Sequence, residues 1–283
     1  MQPYVVLDVF TDTPLQGNQL AVFSDGEGLP AELMQRAARE LNLSETVFLL
    51  PGDRNSADAE IRIFTPTAEL RFAGHPVLGS AFVVGQRDGL DTVRLCTRAG
   101  VVPLALRRQN GEIVFGEMEQ PLPTIHRFER DTELLAALRV ERSKLPIEAY
   151  RNGPLHVYVV LEDEDAVAAL RPDLGALADL AGSDDLCVSC FAGAGDRFKT
   201  RMFSPSLGVA EDPATGSAAG PLALHLARHG TIQFGQQIEI RQGIEIGRPS
   251  LLHARVEGTA DHVERVLVGG SAVLVARGEY RLT

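Results

Sequence analysis

The feature that most constrains this chain is a short signature that occurs twice. Residues 75–81 read HPVLGSA, and residues 212–218 read DPATGSA, at an offset of 137 positions. A similar strand-like run precedes each copy, RIFTP at 62–66 and RMFSP at 201–205. Pro and Gly-Ser fall at the same offsets in both copies, whereas the first residue changes from His to Asp. We therefore predict two similar halves whose paired helix starts contribute different polar groups to a site between them.

Each signature is predicted to open a buried helix. Pro76 and Pro213 would occupy the first helical position, where the missing N–H has no intrahelical partner. The residues that follow are apolar on nearly every face, which indicates burial. The N-terminal N–H groups of two such helices, facing one cleft, would bind a carboxylate. The alternative is that Asp212 and Ser217 only cap a helix; two equivalent caps would not require His in one copy and Asp in the other.

The remaining sequence predicts mostly short strands, so that each half is β-rich and wraps around one helix. A stretch at 118–128 contains Pro121 and Pro123 and is predicted to be an extended linker. We place the first domain at residues 1–118, completed by a C-terminal strand at about 268–283. The second domain is placed at residues 119–267.

Composition limits the partners and the compartment. The net charge of −11 argues against binding to a nucleic-acid backbone, which requires clustered Lys and Arg. No run of about 18 apolar residues is present, so no membrane span is predicted. The chain starts directly with a strand-like segment, and its three cysteines indicate a reducing compartment. We expect a cytoplasmic protein with no nucleic-acid and no membrane partner.

Glu45 is a second candidate for chemistry. It precedes the apolar run 46–50 and is flanked by Leu43, Val47 and Phe48. A carboxyl group in apolar surroundings has a raised pKa and can accept and return a proton near neutral pH. The residues alone favour the alternative, in which Glu45 is a solvated loop acid or caps a neighbouring element.

Several motif-like patterns are discounted. Cys187 and Cys190 are three apart on a predicted strand, which directs their thiols to opposite faces and favours simple packing. His225 and His229 have the helical spacing of a zinc-protease motif, but Leu226 stands where that motif has Glu, and no third ligand is evident. The sequence therefore predicts no metal site. Residues 193–195 read GAG without the third glycine of a dinucleotide-binding loop.

The segments that carry these residues resemble the phenazine-biosynthesis isomerase (PhzF) family, within the diaminopimelate-epimerase-like superfamily. The resemblance runs nearly end to end and depends on the following motifs: LQGN at 15–18, NLSE at 42–45, FAGHP at 72–76, YRNGP at 150–154, CFAGAG at 190–195, EDPATGSAAG at 211–220 and QQIEI at 236–240. It implies an α+β fold of two pseudo-symmetric β half-barrels, each around a central helix. It also implies a homodimer that uses no cofactor.

The resemblance assigns roles to particular residues. The proton-shuttling glutamate of the family falls on Glu45, and its substrate-contacting His and Asp fall on His75 and Asp212. The further substrate-binding positions are Asn18, Gly74, Gly216 and Ser217, of which the last three would hold a substrate carboxylate. Related racemases place thiols at the two half-sites, where this sequence has no Cys, so two-thiol epimerisation is not expected.

The implied function is a proton transfer on trans-2,3-dihydro-3-hydroxyanthranilate in phenazine biosynthesis, a route to an antibiotic, with Glu45 as base and then acid. One alternative is an isomerase or epimerase of the same fold that acts on another amino-acid-like carboxylate. Another is a non-catalytic relative that binds a small anionic molecule. If Glu45 is the base, its presence argues against a non-catalytic relative.

Overall fold

The computed structural model describes residues 1–53 and 55–282, which form two compact units. Unit 1 comprises Met1–Glu119 and Val268–Thr283, and unit 2 comprises Gln120–Leu267. Strand β17 (Val263–Gly270) carries the chain from unit 2 back into unit 1. The fold is mixed α+β, with many short strands and few helices, as the sequence predicts.

Unit 1 is built from strands around one central helix. Its elements are β1 (Gln2–Val9), β2 (Asn18–Phe23), α1 (Ala31–Leu41), β3 (Glu45–Pro51), β4 (Ala59–Phe64), β5 (Glu69–Leu70), α2 (Gly74–Asp88), β6 (Thr92–Thr97), β7 (Gly100–Gln109), β8 (Glu112–Gln120) and β18 (Ala272–Tyr280). Helix α2 contacts β1, β2, β3, β4, β6, β7 and β18, so the strands surround it.

Unit 2 also consists mainly of short strands, but it has four α-helices where the described residues of unit 1 have two. Its elements are β9 (Thr124–Arg127), α3 (Asp131–Leu138), β10 (Glu148–Arg151), β11 (Leu155–Val160), α4 (Glu164–Ala169), α5 (Leu174–Ala181), β12 (Leu186–Ala194), β13 (Arg197–Ser204), β14 (Val209–Asp212), α6 (Gly216–Arg228), β15 (Ile238–Gln242) and β16 (Ser250–Gly258). Short 3-10 turns lie at Pro205–Leu207 and Ile244–Ile246.

The two units repeat one order of strand pairing. In unit 1 the pairs β1/β2, β3/β4 and β6/β7 are antiparallel, whereas β2/β3 and β4/β6 are parallel. In unit 2 the pairs β10/β11, β12/β13 and β15/β16 are antiparallel, whereas β11/β12 and β13/β15 are parallel. In unit 1 the short strand β5 pairs antiparallel with β4 ahead of the central helix, and in unit 2 the short strand β14 pairs in the same way with β13. The duplication seen in the signature therefore extends to the topology of each unit.

The central helices are buried, as their apolar sequences predict. In α2 every residue from Gly74 to Phe82 is buried, and α6 is buried from Gly216 to Ala227. Gly79 allows α2 to approach the sheet closely, because a Cβ there would lie 2.6 Å from Leu20 and 2.9 Å from Val9. No helix in the described part of the chain is both long and apolar enough to span a bilayer.

The predicted position of the signature prolines is wrong in both copies. Pro76 is the third residue of α2, because Ala73 is the N-cap and the helix already begins at Gly74. Pro213 lies outside α6, whose N-cap is Thr215. The two copies thus enter their helices at different points of the same signature. In the second copy, side-chain hydrogen bonds described below hold residues 212–215 in a non-helical conformation.

The predicted linker at 118–128 is also wrong. Strand β8 continues to Gln120, and β9 occupies Thr124–Arg127 and pairs antiparallel with β10. The two prolines lie outside the segment that needs ladder hydrogen bonds, Pro121 just after β8 and Pro123 just before β9. Proline therefore limits the strands here without preventing them.

Candidate active site

Three predicted site residues meet in unit 1. Asn18 is the first residue of β2 and Glu45 the first residue of β3. These strands are parallel, so their N-terminal ends lie at the same edge. His75 is the second residue of α2, whose N-terminal turn reaches this edge. The His75 ring lies between the other two side chains: its Nδ1 is 3.2 Å from Asn18 Nδ2, and its Nε2 is 3.2 Å from Glu45 Oε2.

Burial sets the charge of this cluster. The His75 side chain is 4% exposed and that of Glu45 is 15% exposed. Desolvation lowers the pKa of His75 to about 3, although a hydrogen bond with the backbone of Gln19 opposes the shift. The imidazole is therefore neutral near pH 7, and its contact with Glu45 is not an ion pair at that pH. A solvated loop position for Glu45, the alternative that the sequence left open, is wrong because most of the side chain is buried.

The contact between His75 and Glu45 is close but is not a hydrogen bond. The two atoms are close, but they do not meet hydrogen-bond geometry, and His75 Nε2 makes no other hydrogen bond within the described residues. A buried polar atom without a hydrogen bond is costly and is retained where it serves a purpose. Nε2 can therefore bond to a molecule placed beside the Glu45 carboxylate.

Asp212 in unit 2 is held by two side chains. Thr215 Oγ1 donates to Asp212 Oδ2 at 2.6 Å. Gln242, on β15, donates from Nε2 to the Asp212 carbonyl at 2.8 Å and to Thr215 Oγ1 at 2.9 Å. Its Oε1 accepts from the Thr215 N–H at 3.2 Å. This clamp, which we call the Thr215–Gln242 clamp, keeps residues 212–215 out of the helix and fixes the Asp212 carboxylate.

Helix capping by Asp212 or Ser217 is therefore excluded as an explanation of the second signature. The N-cap of α6 is Thr215, which makes no side-chain capping bond, and Ser217 lies inside the helix. Gly216 and Ser217 are its first two residues, so their N–H groups have no acceptor within the helix. In unit 1, Gly74 has the corresponding position as first residue of α2.

Buried side chains support the first turn of α6. Pro221 lies inside the helix and lacks the N–H that would bond to the Ser217 carbonyl. Asn152 Nδ2 donates to that carbonyl instead, at 3.0 Å. Gln120 Nε2 donates to the Gly216 carbonyl at 2.8 Å, and Tyr158 OH donates to that of Ala218 at 2.7 Å. The first turn of α6 is therefore held in place by these side chains as well as by the backbone hydrogen bonds of the helix itself.

Sequence reasoning missed the residues that position the second signature. Thr215 belongs to the signature itself, where the first copy has Leu78, and this polar replacement was a readable signal. Gln242 lies 27 residues beyond Thr215 in the chain, with no motif of its own. Asn152 falls in a segment that only the family resemblance distinguished.

Comparison with known proteins places the chain in a family. Residues 7–278 match the family model described as phenazine biosynthesis-like protein. The chain belongs to that family. It is 55% identical to trans-2,3-dihydro-3-hydroxyanthranilate isomerase of Pseudomonas aeruginosa, over 98% of this chain and 99% of that protein. The resemblance expected from the motifs is thereby confirmed.

Solved structures confirm the fold. A phenazine biosynthesis protein of the PhzF family from Bacillus anthracis superposes with a TM-score of 0.84 at 26% identity, covering 99% of both chains. A hydroxyproline epimerase from Agrobacterium vitis has a TM-score of 0.68 at 12% identity, covering 98% of this chain and 91% of that one. At such low identity the second likeness concerns the fold alone, which is diaminopimelate-epimerase-like.

Proposed function

We propose that this protein is a trans-2,3-dihydro-3-hydroxyanthranilate isomerase. The main support is the 55% identity to a protein of that name, which extends over nearly the full length of both chains. The second support is local: a mostly buried carboxylate, Glu45, lies 3.2 Å from a neutral imidazole. Such a pair suits proton transfer to and from carbon, because neither group is screened by bulk water.

In the proposed reaction Glu45 removes the proton from the ring carbon that bears the hydroxyl. The same carboxyl group then returns the proton to the ring carbon that bears the carboxylate, and the resulting enol tautomerises to the aminoketone. One acid that serves as base and then acid moves the proton without another titrating side chain. His75, fixed by Asn18, would orient the polar substituents of the substrate through its Nε2 atom.

The residues of the second signature are proposed to bind the substrate rather than to move its proton. Asp212, fixed by the Thr215–Gln242 clamp, would accept hydrogen bonds from the substrate amine or hydroxyl. The first-turn N–H groups at Gly216 and Ser217, together with Gly74 just before the first signature, would hold the substrate carboxylate. No cofactor is needed for these steps.

The decisive assay uses purified protein and trans-2,3-dihydro-3-hydroxyanthranilate, with the ultraviolet absorbance of the diene followed over time. Loss of the substrate spectrum supports the proposal. No spectral change would favour an isomerase of the same fold with another amino-acid-like substrate. Binding of the compound, measured by calorimetry, without proton–deuterium exchange in D₂O would instead indicate a non-catalytic binding protein.

We further propose that the protein is a cytoplasmic homodimer, in keeping with the family resemblance and with its three cysteines, which form no disulfide among the described residues. Sedimentation equilibrium should give twice the chain mass of 30.6 kDa. A mass of one chain across the working concentration range would contradict the proposed dimer without affecting the proposed reaction.

A further inference from the structure

A polar cluster in unit 2 lies outside the catalytic residues proposed above. It consists of Glu148, Tyr150, His225, Arg228 and His229, and we call it the Glu148 cluster. Glu148 is the first residue of β10, which also carries Tyr150. His225 and Arg228 lie in the last turn of α6, and His229 is the C-cap of that helix. His225 and His229 are four residues apart and therefore lie on one face of the helix end.

Every group in the cluster converges on one oxygen atom, Glu148 Oε2. Tyr150 OH donates to it at 2.7 Å, and Arg228 Nη1 donates at 2.8 Å. His229 Nε2 lies 3.0 Å from it and His225 Nδ1 lies 3.5 Å from it. A single carboxylate oxygen has two lone pairs, fewer than the three neighbours within hydrogen-bond distance of it, whereas His225 Nδ1 lies 3.1 Å from Tyr150 OH, a contact that a metal would replace.

The separations of the Glu148 oxygen from the two imidazole nitrogens agree with those of metal ligands. A tetrahedral zinc ion with bonds of about 2.1 Å keeps neighbouring ligand atoms about 3.4 Å apart. The two His–Glu separations are 3.0 and 3.5 Å, and the three candidate ligand atoms all lie within 4.8 Å of one another.

From this geometry we propose that Glu148, His225 and His229 form a zinc site that ties strand β10 to the end of helix α6. The third ligand, which could not be found in the sequence around the two histidines, comes from a residue 77 positions before His225. Two imidazoles and one carboxylate are a donor set that zinc accepts, and the fourth position would be open to water.

One side of the Glu148 cluster faces a groove. A groove of about 600 Å³ is lined by Glu148 and Arg228, together with Ile125, Phe128 and Ile147. The Arg228 side chain is 28% exposed and lies on this groove. Zinc would repel its guanidinium, which would move outward into the groove. Arg228 is therefore a competing cation, and its removal should strengthen metal binding.

Cobalt(II) replaces zinc with a visible spectrum, so it is the probe for this site. Protein treated with EDTA and desalted is titrated with CoCl₂, and the d–d bands of tetrahedral cobalt are followed. The wild type should bind one equivalent, and added ZnCl₂ should abolish the bands. The variant His229→Gln should lose affinity on the order of 100-fold. The control His262→Gln, at an exposed histidine of the same unit, should bind as the wild type does.

Arg228→Gln supplies a second, opposite effect. It should bind cobalt about tenfold more tightly, since the competing charge is gone. Zinc should also raise the Tm of the wild type by about 5 °C at saturating concentration, but not that of His229→Gln. Circular dichroism of each apo variant verifies folding.

Three results would overturn the site: no cobalt bands in the wild type, equal affinity in His229→Gln and wild type, or weaker binding in Arg228→Gln. The cluster would then be an ion-pair network that fastens the helix end. Isomerase activity of the EDTA-treated protein is expected to be unchanged, so this outcome is independent of the proposed function.

Discussion

The two copies of the signature occupy equivalent places in the strand order of their units, yet they hold their polar residue by different means. In unit 1 the helix begins before the signature, and His75 is a helical residue placed beside Glu45 and Asn18. In unit 2 the helix begins inside the signature, and Asp212 remains on β14, held by the Thr215–Gln242 clamp. Duplication therefore preserved the topology while the helix start shifted.

This difference suggests a division of labour. The first copy places a neutral, buried imidazole against a carboxylate, a combination suited to proton transfer. The second copy fixes a carboxylate with hydrogen-bond donors, a combination suited to binding polar substituents. Three predictions test the comparison, and a fourth concerns a further buried histidine.

The largest effect is expected from Glu45→Gln. The amide keeps the shape of the side chain but has no basic oxygen, so kcat should fall about 1000-fold. Steady-state absorbance assays measure the loss, and calorimetry should show that substrate still binds. Glu40→Gln, at an exposed acid at the end of α1, is the matched control and should be fully active. A kcat of Glu45→Gln within threefold of the wild-type value would contradict the role of Glu45 in proton transfer.

Asp212→Asn should act on binding more than on chemistry. The variant loses a charged acceptor, so kcat/KM should fall about 100-fold, with most of the loss in KM. Steady-state kinetics over a wide substrate range separates the two parameters. If the whole loss were instead in kcat, Asp212 would belong with Glu45 as part of the proton path.

The Thr215–Gln242 clamp is tested by Thr215→Val, which keeps the side-chain shape but removes the hydroxyl bonded to Asp212. We expect kcat/KM to fall about tenfold, because Asp212 would no longer be fixed in one orientation. Thr215→Ser restores the hydroxyl and should recover most of the activity. Equal losses in the Val and Ser variants would mean that packing, rather than the hydrogen bond, matters at this position.

A smaller effect concerns stability alone and distinguishes two buried histidines. Burial lowers the pKa of both His75 and His156 to about 3, and a positive charge at Arg151 also lowers that of His156. Neither ring nitrogen of His156 has a hydrogen-bond partner among the described residues. His156 therefore has a packing role, and His156→Leu should leave kcat unchanged.

The sign of its pH effect follows from linkage. A histidine whose pKa is about 6.5 when unfolded and about 3 when folded binds its proton more readily in the unfolded chain, so stability falls as pH drops from 6.5 toward 3. Between pH 7 and pH 5 this costs about 2 kcal/mol. Urea unfolding at the two pH values should show His156→Leu losing about that much less than the wild type. Equal losses in both proteins would contradict the assignment.

Much of this arrangement could be read from the sequence, for physical reasons that differ by residue. The buried helices were predictable because their apolar residues cover every face. The meeting of Glu45 with His75 was predicted only through the family resemblance. Strand register, which no local pattern specifies, brings Asn18 and Glu45 to the same edge.

The errors have equally local causes. The rule that Pro opens a helix placed both starts at the proline, but tertiary hydrogen bonds from Gln242 decide the second start. The same limit explains the Glu148 cluster. The helical spacing of His225 and His229 was visible, whereas Glu148 reaches them only through the pairing of β10 within unit 2. Contacts of long sequence separation were the part that single-sequence patterns could not supply.

The division of labour is tested most directly by proton–deuterium exchange at the hydroxyl-bearing ring carbon of the substrate, measured by NMR in D₂O with saturating substrate. We expect Asp212→Asn to retain exchange within about tenfold of the wild type, whereas Glu45→Gln should show none above the uncatalysed rate. Exchange at the wild-type rate in Glu45→Gln, or its complete loss in Asp212→Asn, would contradict the claim that Glu45, beside the first signature, moves the proton and that the second signature binds the substrate.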